Sequence, residues 1–327
     1  MTNFRIIRSI RNLPMNNDSQ TISNKLIALD AFLVVSIIVM VFAIYGQMNK
    51  PAQKLLADVE QALSPNAFDS ISLQGKSAYV FDVTANKVLF KKNEFLQLPL
   101  ASITKLMTAL VATDLYSKDA HVIIKREFLA GEGDSGLFVD ETWRMKDLLD
   151  FSLVSSSNDG AISIASTVGA FDLKTDDYVL GRKNFVSRMN DKAKVLGLKE
   201  TYFINESGLD ENGSSGGYGS AIDVAKLMQY ILENKPEIVE ATKYQSISIK
   251  SFNKTHTAKN TDMVINEIPN LIASKTGYTD MAGGNLVVAF DASIGRPIIV
   301  VVLGSSEQGR FSDVSKLVNA SLKYISE

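Results

Sequence analysis

A chain of 327 residues, 46% apolar and 21% charged, is long enough to bury a sizeable core as one large domain or two smaller ones. Its 34 basic and 36 acidic side chains leave a formal charge of −2, which disfavours a general nucleic-acid binder. With no Cys and only His121 and His256, disulfides, thiolate metal sites and Cys nucleophiles are excluded and a Ser-His-Asp triad has little to draw on, so catalysis must run on Ser, Lys, Tyr or carboxylates.

The first 25 residues set Arg5, Arg8, Arg11 and Lys25 against a single acid, Asp18. Leu26–Tyr45 follows, apolar except for Asp30 and Ser36. Roughly 20 such residues span a bilayer as a helix, and the basic flank predicts that the N-terminal end stays in the cytoplasm. A cleaved signal peptide is the competing reading. Its apolar core is usually about 7–15 residues long, and Phe42–Gly46 offers a poor cleavage site. The expectation is a cytoplasmic segment over 1–25, an uncleaved transmembrane signal-anchor over 26–46, a tether over 47–70 and a domain over 71–327 outside the cytoplasm. The tether reads as partly helical around Leu55–Leu63 and broken at Pro65.

The domain opens with a hairpin, Ser77–Val83 and Lys87–Phe90, turning at Thr84-Ala85-Asn86. Leu100–Tyr116 is apolar nearly all round, as a buried helix is. Helical periodicity recurs at Met145–Leu153, Ala161–Val168, Lys183–Leu196 and Ala221–Leu232. Asn285–Phe290 and Pro297–Leu303 read as strands, and Phe311–Tyr324 as an amphipathic helix. Strands at both ends with helices between predict an α/β (α+β) fold: one sheet built from both termini, with a mostly helical insertion.

Gly131-Glu132-Gly133-Asp134-Ser135-Gly136 fits G-x-G-x-x-G, but no convincing helix start follows it and its acids would repel phosphate. Ser102-Ile103-Thr104-Lys105 carries more chemistry. Positions i and i+3 share a helix face, so Lys105 can reach the Ser102 hydroxyl. Burial in an apolar helix and a position near its N-terminus both disfavour the charged ammonium, as a general base requires. S-x-x-K alone is weak, and Ser251-Phe252-Asn253-Lys254 fits it by chance in a stretch without helical pattern. Ser156-Ser157-Asn158 and Lys275-Thr276-Gly277 change the odds, because they follow Ser102 in order. Ser64-Pro65-Asn66 is a second S-x-N, upstream in the tether.

S-x-x-K, S-x-N and K-T-G in that order resemble the penicillin-recognising serine enzymes. Pro99–Ala109, Asn205–Asp210 and Lys275–Thr279 resemble the low-molecular-weight D-alanyl-D-alanine carboxypeptidases, peptidase family S11, over roughly residues 72–325. The resemblance implies a β-lactamase/transpeptidase-like fold with an antiparallel sheet flanked by helices. It also implies that Ser102 is the acylated nucleophile, Lys105 its base and Ser156 the proton relay to the leaving amine. Asn158 would bind the substrate's backbone amide, Lys275 and Thr276 its terminal carboxylate. Gly277 would leave room for substrate along the strand edge. The N–H groups of Ser102 and Tyr278 would form the oxyanion hole. No metal or cofactor is implied, and neither histidine receives a role. The sequence departs from the family at Ser157, where Gly is frequent and a side chain would narrow the cleft, and at Glu206-Ser207, where Pro followed by His or Ser is commoner. It also stops at Glu327, soon after the last helix, where many members continue into a β-rich domain and an amphipathic membrane-binding helix; the N-terminal span is expected to do the anchoring.

The implied activity is removal of the terminal D-Ala from peptidoglycan stem peptides at the bacterial cytoplasmic membrane, with β-lactams as covalent inhibitors. A DD-endopeptidase cutting cross-links would use the same apparatus. A β-lactamase needs a deacylating carboxylate, and no E-x-x-L-N pattern lies between S-x-N and K-T-G. A silent cell-wall binder would have no need of Ser102, Lys105, Ser156, Asn158 and Lys275 together.

Overall fold

The computed structural model describes residues 67–129 and 136–327, together with positions 33, 35–37, 39, 40 and 46. The chain divides into two units, Met1–Pro65 and Asn66–Glu327. In the first, the described positions are helical, and Leu33, Val35, Ile37, Val39 and Met40 are exposed. The expected membrane span and tether fall mostly outside the described residues, as does the glycine loop up to Ser135. Among the described residues no helix is long and apolar enough to cross a membrane.

The second unit is organised by five strands: β1 (Ser77–Asp82), β2 (Lys87–Lys92), β3 (Leu271–Thr279), β4 (Gly283–Asp291) and β5 (Pro297–Ser305). They pair in the order β3-β4-β5-β1-β2, antiparallel throughout, so the two ends of the domain do share one sheet. Side chains alternate between its faces. Val300 and Val302 pack with Val314, Leu317 and Val318 of a C-terminal helix. Ile299, Val301 and Leu303 join a larger core on the opposite face. Both faces are covered, which is why these strands read as continuous apolar runs.

Among the described residues the unit has six α-helices: α1 (Lys105–Leu115), α2 (Met145–Val154), α3 (Asn158–Leu173), α4 (Tyr178–Val195), α5 (Ala221–Asn234) and α6 (Gly309–Ser326). α6 covers one sheet face. Leu106 and Leu110 of α1, with Val224 and Met228 of α5, lie in the core on the other, which extends to Leu148, Ile164 and Phe185 of α2, α3 and α4. α1 sits at the middle of this core and is buried from Lys105 to Ala112. It differs from expectation in its first turn, since Ala101–Thr104 is a 3₁₀ turn entered through Ala101 at φ +47°. The hairpin of Ser246–Lys250 and Thr255–Lys259 has no counterpart in the sequence reading, and the chance S-x-x-K motif forms its turn.

Candidate active site

Three local structures bring the motif residues together. Ser102 lies in the 3₁₀ turn, and Lys105 begins α1 directly after it. The turn is tied down on its N-terminal side, where Leu100 N–H donates to the Gly217 carbonyl (2.8 Å) and Asn285 Nδ2 to the Pro99 carbonyl (2.9 Å). Lys105 is 2% exposed. Its Nζ lies 2.8 Å from Ser102 Oγ, within hydrogen-bond distance, and donates to Asn158 Oδ1 (2.7 Å) and the Ser207 carbonyl (2.8 Å). A neutral amine has two N–H groups and one lone pair. Asn158 and Ser207 present only acceptor oxygens, so they hold the two N–H groups and leave the lone pair for the Ser102 hydroxyl. Burial holds Lys105 well below the ordinary lysine value, the Lys275 charge lowers it further, and Glu206 opposes both. The arrangement can therefore take a proton from Ser102.

The S-x-N motif is the joint between α2 and α3. Ser156 stands there in the left-handed region at φ +60°, a costly conformation for a residue with a Cβ. Ser157 caps α3, its Oγ accepting from Gly160 N–H (2.9 Å), and Asn158 is the first residue of that helix. Ser157 is 2% exposed. Its side chain is thus turned into the fold as a helix cap, which corrects the expectation that it narrows the cleft.

The K-T-G motif lies on β3, at the edge of the sheet. Lys275 Nζ donates to Ser156 Oγ (3.0 Å) and to the Thr276 carbonyl (2.9 Å). Burial lowers Lys275 to about 7, with the Arg310 charge adding to the effect and Asp262 opposing it. Thr276 is buried and its Oγ1 lies 2.5 Å from Thr261 Oγ1. Tyr278 is half-exposed. Gly277 has a reason within the fold as well: a Cβ there would meet the Leu100 carbonyl oxygen at 2.7 Å, so the glycine lets β3 lie directly against the turn that carries Ser102. The contacts thus join Ser102 and Asn158 through Lys105, join Ser156 to Lys275, and set Gly277 of β3 against Leu100 of the turn. The decoy Ser251 lies elsewhere, its hydroxyl on Glu141 (2.6 Å), which also binds His256.

Two features escaped the sequence reading. Arg310, at the start of α6, donates from Nη1 to the Gly277 carbonyl (2.8 Å), and its buried Nε has no hydrogen-bond partner. Its guanidinium also lies 5.8 Å from the Tyr278 ring centre. Together Lys275 and Arg310 give this end of β3 positive charge suited to a carboxylate. Glu206, fully buried beside Lys105, pairs with Arg182 of α4. No local pattern marks either pairing, because each joins elements remote in sequence. Among the described residues no group of three or more His, Cys, Asp or Glu side chains is placed to hold a metal ion.

With this geometry in hand, similarity to known proteins becomes specific. Residues 61–307 match the D-alanyl-D-alanine carboxypeptidase family. The D-alanyl-D-alanine carboxypeptidase DacF of Bacillus subtilis is 29% identical over 252 residues, 75% of this chain and 61% of that protein. A D-alanyl-D-alanine endopeptidase of Pseudomonas aeruginosa is 32% identical over 255 residues, 75% of this chain and 76% of that one. Among solved structures, penicillin-binding protein D2 of Listeria monocytogenes in its ampicillin-bound form superposes with a TM-score of 0.65 at 28% identity, over 77% of this chain and 98% of that one. The mixed α/β fold is that of the penicillin-binding DD-peptidases, and the chain belongs to the D-alanyl-D-alanine carboxypeptidase family.

Proposed function

We propose that the domain is a serine D-Ala-D-Ala carboxypeptidase acting on peptidoglycan stem peptides. The observation that carries this reading is the Lys105 amine held by Asn158 and the Ser207 carbonyl with Ser102 Oγ at 2.8 Å. Ser102 attacks the carbonyl of the penultimate D-Ala while Lys105 takes its proton. The backbone N–H groups of Ser102 and Tyr278 stabilise the oxyanion. The terminal D-Ala leaves as an amine, receiving a proton through Ser156 and Lys275, and water then hydrolyses the acyl-enzyme. Asn158 orients the substrate amide, and Lys275, Thr276 and Arg310 meet its terminal carboxylate. A β-lactam presents a similar carbonyl and stops at the acyl-enzyme; the ampicillin-bound Listeria relative supports this.

The test is labelling of the full-length protein with a fluorescent penicillin, followed by digestion and peptide mapping. Label is expected on Ser102 alone, absent from Ser102→Ala and slowed by about 10²–10⁴-fold in Lys105→Ala. Label on Ser251, or retained in Ser102→Ala, would remove the assignment.

The Pseudomonas relative, 32% identical, is named a D-alanyl-D-alanine endopeptidase, and this supports a second reading, a DD-endopeptidase cutting cross-links; the chain spans 61% of the length of the Bacillus relative and 76% of the Pseudomonas one. Product analysis separates the two. A carboxypeptidase releases D-Ala from a pentapeptide faster than it cleaves a cross-linked dimer, and an endopeptidase reverses that order. The reading also includes a signal-anchor over 26–46 with residues 1–25 in the cytoplasm and the catalytic domain outside. Its support is the apolar run Leu26–Tyr45 with Arg5, Arg8, Arg11 and Lys25 before it against the single acid Asp18.

A further inference from the structure

Glu206 is an unusual neighbour for a general base. Its carboxylate is fully buried, while most buried carboxylates require a partner. That partner is Arg182 of α4, whose Nε–H is shared between Glu206 Oε1 (3.0 Å) and Oε2 (2.9 Å). Arg182 is one-third exposed and also reaches Glu211 Oε1 (3.4 Å). The backbone around Glu206 leads directly to the base. Its own carbonyl accepts from Thr108 Oγ1 (2.6 Å) on α1, one turn beyond Lys105. The next carbonyl, that of Ser207, accepts from Lys105 Nζ. Asn205 Oδ1 clamps the same segment by accepting from the N–H groups of Ser207 (3.2 Å) and Gly208 (2.8 Å). Two effects therefore converge on Lys105. The pair fixes the loop that supplies one of the two acceptors holding its amine, and a buried negative charge lies beside it.

We propose that Glu206 and Arg182 form a positioning pair for Lys105, holding the Ser207 carbonyl on its amine and setting, by their net charge, how strong a base it is. The inference rests on the reading of Lys105 as the base for Ser102. A lysine buried beside a second lysine would otherwise lose much of its basicity, and a base that is too weak transfers protons poorly. Glu206 raises Lys105 against the combined lowering by burial and Lys275, and Arg182, paired with that carboxylate, offsets part of its charge and so would limit the rise. The other charged groups around the site are Lys275, with Arg310 and Asp262 behind it on the strand side, Asp159 on α3, and Glu211 beyond Arg182. All of these stay constant when only the pair is changed.

The sign of the effect separates this role from a structural one. The rate of Ser102 acylation by a fluorescent penicillin is measured against pH for the full-length protein and its variants. In Glu206→Gln the ammonium loses its negative neighbour, so Lys105 deprotonates more readily and the acid limb of the profile moves to lower pH. In Arg182→Gln the carboxylate is left uncompensated, and the limb moves to higher pH. The double variant returns towards the wild-type limb, and Arg182→Lys keeps it. A pair that only stiffened the loop would lower the rate at every pH in both variants with the limb unmoved, and that result overturns the proposal. If Glu206→Gln fails to fold, the comparison of Arg182→Gln with Arg182→Lys at the partly exposed end of the pair decides alone: equal limbs overturn it. Failure of the underlying reading looks different, because the wild-type protein would then be labelled away from Ser102 or show no acid limb.

Discussion

Lys275 is 1% exposed and stands between Ser156 and the carbonyl of Thr276, so its ammonium is held where water cannot support it. Burial and Arg310 bring it down to about 7. Below that pH it is charged and can meet a terminal carboxylate; above it the free enzyme loses this charge. KM for a peptide ending in D-Ala-D-Ala is therefore expected to rise as pH passes about 7, while a substrate amidated at its terminus shows no such rise. Equal pH profiles for both substrates would separate Lys275 from carboxylate binding. The same depression has a stability consequence. An unfolded chain keeps this lysine near 10.5, so between about 7 and 10.5 the unfolded state binds a proton that the folded state does not. Stability gained from the group's deprotonation thus rises with pH across that window, and below it the full burial cost is present. Lys275→Met is expected to abolish carboxylate preference yet raise unfolding stability by a few kcal/mol at pH below 7, the gain shrinking towards pH 10.5. Chemical denaturation at two pH values checks this, and a variant less stable than wild type at the lower pH contradicts it.

At the scale of elements, the site is a contact between a turn, a helix joint and a strand edge, and two glycines permit it. Gly208 sits at φ +81° with its Cα so near Ala101 that an added Cβ would overlap the Ala101 carbonyl, and Gly277 is similarly close to Leu100. Gly277→Ala is expected to push β3 away from the nucleophile turn and slow acylation of Ser102 by about 10²-fold, since misplacement of reacting groups by about 1 Å has effects of that size. Ser157→Ala, which removes only the cap of α3, should cost about 1 kcal/mol of stability. Melting curves and penicillin labelling of the two variants separate these outcomes, and unchanged acylation in Gly277→Ala would show that the strand can yield. The identity of the site residues was legible in sequence because Ser102 and Lys105, or Ser156 and Asn158, are neighbours along the chain. The shape of the nucleophile turn was not, because the left-handed Ala101 and the 3₁₀ turn answer to Gly208 and Gly277, which arrive from elsewhere. Arg310 escaped for the same reason: it reaches Gly277 from α6, and nothing in its own helix marks it.

Across the whole molecule, the legible elements are those whose burial leaves a pattern. β4, β5 and α6 are read almost to their ends because both sheet faces are covered and α6 presents one apolar face. The Ser246–Lys259 hairpin is mostly exposed on both strands, with only Ile249 and Ala258 buried, so its residues carry little hydrophobic signal. The N-terminal region carries the opposite signal, the continuous apolar run Leu26–Tyr45. If Leu26–Tyr45 anchors the protein, the basic residues before it should remain on the cytoplasmic side, since cationic flanks resist translocation. Full-length protein expressed in bacteria is then expected in the membrane fraction, resistant to extraction by salt or alkali and released by detergent. Protease added to spheroplasts should digest the penicillin-labelled domain and spare an epitope placed before Arg5. Replacing Arg5, Arg8 and Arg11 with Glu should weaken this orientation and leave more of the domain protected, because the first flank has lost the charge asymmetry that sets it. The decisive observation is the N-terminus of the mature protein. A sequence starting at or beside Met1 supports the anchor, whereas one starting near Gln47 shows that the apolar run is a signal peptide, removed after export.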